Sequence, residues 1–176
     1  MDHADLVGLL APGVPEKGGR WADLGAGEGA FTLALADLLG RASHITAVDR
    51  DRDSLKRLSE AMGKRYPGTE LEVIVADFTH PIALSELDGV VMANSLHFVR
   101  DKRPVLKAVS AMLRPSGRLI VVEYGADRGN PWVPHPFSFG TWQRLSEEAG
   151  FVGTALLGAV PRRYLGSIYS AVSLKA

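Results

Sequence analysis

The sequence predicts an α/β domain built on a mostly parallel sheet with an antiparallel last strand and helices on both faces. Three observations predict it. Residues 20–24 read as a short apolar strand, glycines follow at alternate positions (Gly25, Gly27, Gly29), and Phe31, Leu33, Ala34, Leu35, Leu38 and Leu39 then fall at helical spacing. Apolar runs alternate with amphipathic stretches as far as residue 124, the pattern of strand–helix–strand units. The last two apolar runs, residues 152–157 and 167–174, are joined by a stretch too short for a helical crossover, so they pair antiparallel.

The elements follow in order. Residues 5–10 form a short helix ended by Ala11-Pro12-Gly13, and residues 15–19 are a turn-rich linker into strand one. After the first long helix, residues 44–48 form strand two, ending at Asp49. Residues 53–62 form an amphipathic helix with Leu55, Leu58 and Met62 inward, broken at Tyr66-Pro67-Gly68. Residues 71–75 are strand three and residues 89–93 strand four. A helix over residues 102–113 tolerates Pro104 in its first turn, and residues 118–124 are a buried strand five. Residues 125–140 are a long loop. Thr141 can cap the final helix, with Gly150 at its C-terminal stop.

Composition bounds the rest. The length of 176 residues predicts a single domain over 1–176, with 1–17 as N-terminal helix and linker. Lys plus Arg and Asp plus Glu are both 20, which gives no bulk attraction to nucleic acid or to an anionic membrane. The absence of cysteine excludes disulfides, a zinc–thiolate site and a cysteine nucleophile, and no metal is expected. No basic, apolar leader opens the chain and no apolar run reaches about 18 residues, so a cytoplasmic protein is expected.

The glycine turn carries the chemistry. It satisfies the loose dinucleotide pattern G-x-G-x-x-G/A, which by itself is weak. Asp23 is more telling, because a carboxylate at the end of strand one repels a pyrophosphate and attracts an ammonium or sulfonium group. Asp49 lies 22 residues after Gly27, the spacing at which an acid reaches a ribose diol. NAD and S-adenosylmethionine both carry that diol, so Asp49 does not separate them. It could instead cap the next helix, although Asp51 or Asp53 could do so as well.

With Asp23 included, D-L-G-A-G-E-G resembles motif I of the class I, Rossmann-like S-adenosylmethionine-dependent methyltransferases of small-molecule type. The resemblance runs from about Gly18 to the C-terminus. It implies seven strands in the order 3-2-1-4-5-7-6, S-adenosylmethionine as cofactor, and methyl transfer to a small acceptor by in-line displacement. Under it Asp23, Gly25 and Gly27 hold the cofactor, Asp49 its ribose, and Arg50 flanks the adenine. Ala76-Asp77-Phe78 resembles the adenine-binding triplet, with Asp77 and Phe78 on the base. Asn94-Ser95-Leu96-His97 resembles motif IV, which places Asn94 at the methionine end of the cofactor and His97 at the acceptor.

L-R-P-S-G-R-L resembles the junction into strand five, and it brings Glu123 and Tyr124 to the pocket side. The loop over 125–140 then borders the acceptor as a lid, with Trp132, His135 and Phe137 as an apolar wall. In the family an N-terminal helix often covers the cofactor or acceptor, where His3 could contribute, although an exposed terminal histidine is the favoured reading. The final turn carries Pro161-Arg162-Arg163-Tyr164. His97 is the candidate general base, since an imidazole exchanges protons near working pH, and a packed histidine is the alternative. Two further readings stay open, a non-catalytic binding module of the same fold and an NAD-dependent oxidoreductase. A homodimer is an option.

Overall fold

A computed structural model describes residues 1–161 and 166–176. Arg162, Arg163 and Tyr164 of the last turn lie outside the described residues. The elements in chain order are α1 (His3–Leu10), β1 (Gly19–Leu24), α2 (Ala30–Leu39), β2 (Ser43–Asp49), α3 (Arg52–Arg65), β3 (Glu70–Val75), β4 (Leu87–Ala93), α4 (Arg103–Met112), β5 (Leu113–Tyr124), α5 (Phe139–Glu148), β6 (Phe151–Pro161) and β7 (Ser167–Lys175). Short 3-10 turns follow α1 (Ala11–Gly13) and β4 (Leu96–Phe98).

The seven strands form one sheet in the order β3-β2-β1-β4-β5-β7-β6, as the resemblance implied. β1 pairs parallel with β2 on one side and β4 on the other, so Ala22 sits between Thr46 and Val90. β7 is antiparallel to both neighbours, with Val121 opposite Ala171 on β5 and Leu156 opposite Ala171 on β6. Among the described residues no helix is long and apolar enough to cross a membrane.

Strand alternation divides the core into two layers. Trp21, Ile45, Val91 and Ile120 face α1, α2 and α3, where they meet Leu6, Leu35, Leu39 and Leu58. Their neighbours in sequence, Ala22, Val90, Met92 and Leu119, face α4 and α5, where they meet Leu106, Val109 and Trp142. The central strands are covered on both faces, which is why they read as continuous apolar runs rather than alternating ones.

The structure moves several boundaries. α1 starts at His3, because Asp2 accepts from the Asp5 amide and the Asp5 side chain returns the bond, a capping box. α5 is capped by Ser138, which accepts from the Thr141 amide, so Thr141 is inside the helix rather than at its cap. The helix before β5 stops at Met112, and Leu113 pairs with Leu87 before a register shift that brings Arg118 opposite Gly89. Residues 114–117 form the bulge between them, with Ser116 at positive φ.

α1 lies against α2, β6 and β7. His3 contacts the Tyr66 hydroxyl at 3.3 Å and Asp37 at 3.4 Å. Those residues sit at the C-terminal ends of α3 and α2, the end of the sheet opposite the glycine turn. The expectation that His3 helps cover the cofactor is therefore corrected, since the helix that carries it packs at the wrong end.

Candidate active site

In an open α/β sheet the ligand crevice opens beyond the carboxyl ends of the strands where the order reverses. Here that point lies between β1 and β4. A cleft of about 450 Å³ opens there, lined by Gly25, Gly27, Asp49, Arg50, Ala76, Asp77, Phe78, Thr79, Asn94, Ser95, Phe98 and Val99. Seven of the eight residues expected to bind cofactor line it, namely Gly25, Gly27, Asp49, Arg50, Asp77, Phe78 and Asn94.

The turn after β1 is shaped by what its glycines touch. The Gly25 and Ala26 amides donate to the Val48 carbonyl at 2.8 and 3.0 Å, which ties the turn to the end of β2. Gly25 has φ +83°, and a Cβ there would come within 2.5 Å of Ser95 Cβ. Gly27 has φ +54° and open space where its Cβ would be. The first glycine thus lets β4's loop close on the turn, and the second leaves backbone facing the cleft.

Asp49 spans the cleft mouth. One carboxylate oxygen accepts from the Gly27 amide at 2.8 Å and the other from the Asp51 amide at 2.8 Å. Each oxygen keeps an acceptor site, so two hydroxyls can still be taken up by a carboxylate already fixed in place. Asp51 caps α3 by accepting from Asp53 and Ser54, which frees Asp49 of that role. Asp77 accepts from the Thr79 amide at 2.9 Å and hydroxyl at 2.7 Å through the same oxygen. It therefore shapes its own turn while lining the cleft. Its carboxyl is held below the usual range, first by the Thr79 hydroxyl and then by the Thr79 amide.

Asn94 has φ +51°, a conformation asparagine tolerates better than most residues. Among the described residues its Oδ1 is buried without a hydrogen-bond partner. A buried acceptor left open beside a cleft is a place for a ligand's N–H or O–H. The cleft volume, the fixed Asp49 carboxylate, the exposed Gly27 backbone and this unpaired acceptor together fit an adenosyl–amino-acid cofactor.

Asp23 is the exception. It lies on the α2 side of β1, fully buried, and accepts from the Thr32 hydroxyl at 2.6 Å. Burial raises its carboxyl to about 6, against the lowering effect of Thr32 and with a further push from Asp49. Direct contact with a ligand cation is corrected to a buried role behind the glycine turn, because strand alternation sends residue 23 to the side of Trp21.

His97 and Glu123 form a buried pair. The carboxylate of Glu123 accepts from the Leu96 amide at 2.9 Å, the His97 amide at 3.2 Å and His97 Nδ1 at 2.7 Å. Their side chains are 4% and 0% exposed. An ionised carboxylate only accepts, so the neutral imidazole carries its proton on Nδ1 and leaves Nε2 as the lone-pair nitrogen. Glu123 was expected as a pocket wall and is instead a buried partner of His97, since its place on β5 aims it into the α4/α5 layer. His97 itself does not line the cleft, but Phe98 does, 4.3 Å from it between ring centroids.

The remaining acceptor-side residues separate. Tyr124 is half-buried with its ring edge-on to His97 at 5.9 Å. Trp132 is 80% exposed at the tip of the loop over 125–140. Phe137 is a core residue packed on Trp142 and Tyr169, not a wall of the cleft. His135 is fixed by its backbone, its amide donating to the His97 carbonyl at 2.9 Å. His135 and Phe137 line a second cavity of about 300 Å³ with Lys102. Sequence reading missed Thr32, Ser95 and Lys102, each of which matters through a partner elsewhere in the chain, and Phe98, which lines the cleft beside His97.

The profile of the family described as "Methyltransferase domain" matches residues 22–121, from β1 into β5. The chain is 31% identical to a carboxy-S-adenosyl-L-methionine synthase of Chromohalobacter salexigens over 121 residues, covering 67% of this chain and 44% of that protein. It is 27% identical to the ubiquinone/menaquinone biosynthesis C-methyltransferase UbiE of Haemophilus ducreyi over 143 residues, 77% of this chain and 52% of that one. The chain thus spans about half the length of the curated relatives it matches. A crystal structure of a SAM-dependent methyltransferase from Aquifex aeolicus superposes with a TM-score of 0.74, 17% identity and full coverage of both chains.

Proposed function

Because the chain belongs to the Rossmann-like S-adenosylmethionine-dependent methyltransferases, we propose that it transfers a methyl group from S-adenosylmethionine to a small-molecule acceptor, with His97 as general base. The observation that carries this reading is the juxtaposition at the end of β4: Asn94 with its open acceptor in the cofactor cleft, and His97, three residues later, locked to Glu123.

When bound, the cofactor supplies an electrophilic methyl on a sulfonium. The protein's residues do the rest. Asp49 would take the ribose hydroxyls, Asp77 and Phe78 would hold the adenine with Arg50 beside it, and Gly25, Gly27 and Asn94 would receive the methionine end. Nε2 of His97 takes the proton from an acceptor O–H or C–H as the nucleophile forms. Glu123 holds the ring in the required tautomer and stabilises the imidazolium. Alignment of two molecules in one cleft contributes up to several kcal/mol.

Phe98 is 61% exposed on the cleft rim, and Trp132 stands exposed three residues before His135, which is bonded to His97. These rings suit a planar or apolar acceptor, in keeping with relatives named as an O-methyltransferase and a quinone-pathway C-methyltransferase. The loop over 125–140 carries Trp132 exposed at its tip and serves as the lid on the acceptor side.

The test is a calorimetric titration with S-adenosylmethionine, its demethylated product, NAD and NADP, followed by a cofactor-consumption screen of phenols, enols, amines and carboxylates. Binding of the first two with turnover of a weakly acidic acceptor is the expected result. Tighter binding of NAD than of S-adenosylmethionine would end the proposal. Tight cofactor binding with no acceptor turned over would favour the non-catalytic module.

A further inference from the structure

We propose that Lys102 is a positioning residue for the His97–Glu123 pair: its ammonium fastens the segment over 133–137 onto the pair and offsets the buried carboxylate. The proposal rests on His97 being the base.

Lys102 stands at the N-cap position of α4 and is only 6% exposed. A lysine this buried needs partners for its charge and its three donors. Nζ donates to the Val99 carbonyl at 2.9 Å and to the His135 carbonyl at 3.0 Å. It also lies 4.9 Å from the Phe137 ring centroid, a cation–π contact. Val99 belongs to the connection after β4 and His135 to the connection after β5. Since the His135 amide donates to the His97 carbonyl at 2.9 Å, residues 97, 99, 102 and 135 form a closed set of ties.

Two carbonyls and a ring supply no full negative charge. Burial favours the neutral amine of Lys102, while the Glu123 carboxylate, and after it Asp101, favours the ammonium. Asp101 is already forked onto Arg103 at 2.8 and 2.9 Å. Glu123 is therefore the counter-charge that matters. The relation is reciprocal. A buried carboxylate against an imidazole favours the imidazolium, and an imidazolium cannot act as a base. The Lys102 charge opposes that.

The other groups facing the pair leave this role to Lys102. Tyr124 on β5 meets His97 edge-on. Tyr169 on β7 is kept protonated by burial and by Glu123, and donates to the Phe137 carbonyl at 3.1 Å. Asp127, in the loop after β5, acts on Tyr169 and accepts from the Ser138 amide. His135 meets the pair through its backbone.

The experiment follows the His97 imidazole by histidine-selective NMR in the full chain, assigned by its loss in H97Q, for wild type, Lys102→Met, Lys102→Gln and Lys102→Arg. Lys102→Met and Lys102→Gln should each raise the His97 titration midpoint by about one pH unit, the scale of one lost neighbouring charge, and Lys102→Arg should leave it near wild type. Exchange of the His135 amide should quicken at least about tenfold in Lys102→Met and less in Lys102→Gln, which keeps donors for the two carbonyls. If Lys102→Met does not fold, the glutamine variant decides. An unchanged His97 midpoint in either folded variant would overturn the proposal, leaving Lys102 as a filler of the core. The readout needs no acceptor, so a chain that fails to transfer methyl groups still answers it.

Discussion

Glu123 binds residue His97 at two points at once, accepting its backbone amide at 3.2 Å and its Nδ1 at 2.7 Å, so the ring and the loop that carries it are oriented by one buried carboxylate. His97→Ala should therefore cost about 10²–10⁴ in methyl-transfer rate. Glu123→Gln should lose less, because a glutamine oxygen in the place of Oε1 can still accept from both the Leu96 and the His97 amides. Cofactor affinity should change little in either, since neither residue lines the cleft. Steady-state rates and calorimetry on the folded variants check this. Normal turnover by folded His97→Ala would mean that the histidine is only packed.

Asp49 joins β2 to the glycine turn through Gly27 and is the residue placed for the ribose. Asp49→Ala should weaken S-adenosylmethionine binding by roughly 2–3 kcal/mol, the worth of charged hydrogen bonds, and Asp49→Asn by less. Asp51→Ala is the control. It removes the α3 cap, costs about 1 kcal/mol of stability and leaves affinity intact. Equal affinity loss in both variants would point to disorder of the turn rather than to a lost ligand contact.

Asp23 makes stability fall with rising pH. Its carboxyl titrates near 6 in the fold against 3.8 in the unfolded chain. Between those values the folded state binds more protons, so the slope of stability against pH is negative there. The cost is absent below about pH 4 and complete above 6, on the order of 3 kcal/mol. Asp23→Asn, which can still accept from Thr32, should flatten that slope and be the more stable protein at pH 7. Urea unfolding at pH 4 to 7 reads this out, and parallel curves for the two proteins would refute it.

The same residue predicts proton release on binding. A cationic ligand end beyond the glycine turn favours the ionised carboxylate, so binding of S-adenosylmethionine near pH 6 should expel part of a proton. Calorimetry in buffers of different ionisation enthalpy would detect it. Identical heats in phosphate and bis-Tris at that pH would show that Asp23 does not sense the ligand.

The two glycines should separate stability from binding. Gly25→Ala meets Ser95 Cβ at 2.5 Å with φ +83° and should lower the melting temperature markedly. Gly27→Ala meets nothing within 4 Å at φ +54°, so it should cost only about 1–2 kcal/mol of stability. Its new methyl lies on the cleft, and cofactor affinity should fall by more than that stability loss. Thermal melts paired with cofactor titrations distinguish the two.

The sequence by itself determined the strands and which residues stand at their carboxyl ends. Periodicity marked the strands, and the short link before β7 required its antiparallel pairing. Asp49, Asp77 and Asn94 were legible because each sits at or within two residues of the end of a strand. Parallel strands bring those ends to one edge whatever the side chains do. Tertiary structure alone decided the acid–base side. Asp23 turned to the α2 face to meet Thr32, and Glu123 turned to the α4/α5 face to meet His97, 26 residues away in the chain. Lys102 lies between Asp101 and Arg103 in a stretch that reads as solvated surface, yet it is buried against His135, 33 residues on. Local spacing fixes where a strand ends. Which buried charges meet depends on how two connections pack over that edge, and that is settled by long-range contacts that leave no period in the sequence.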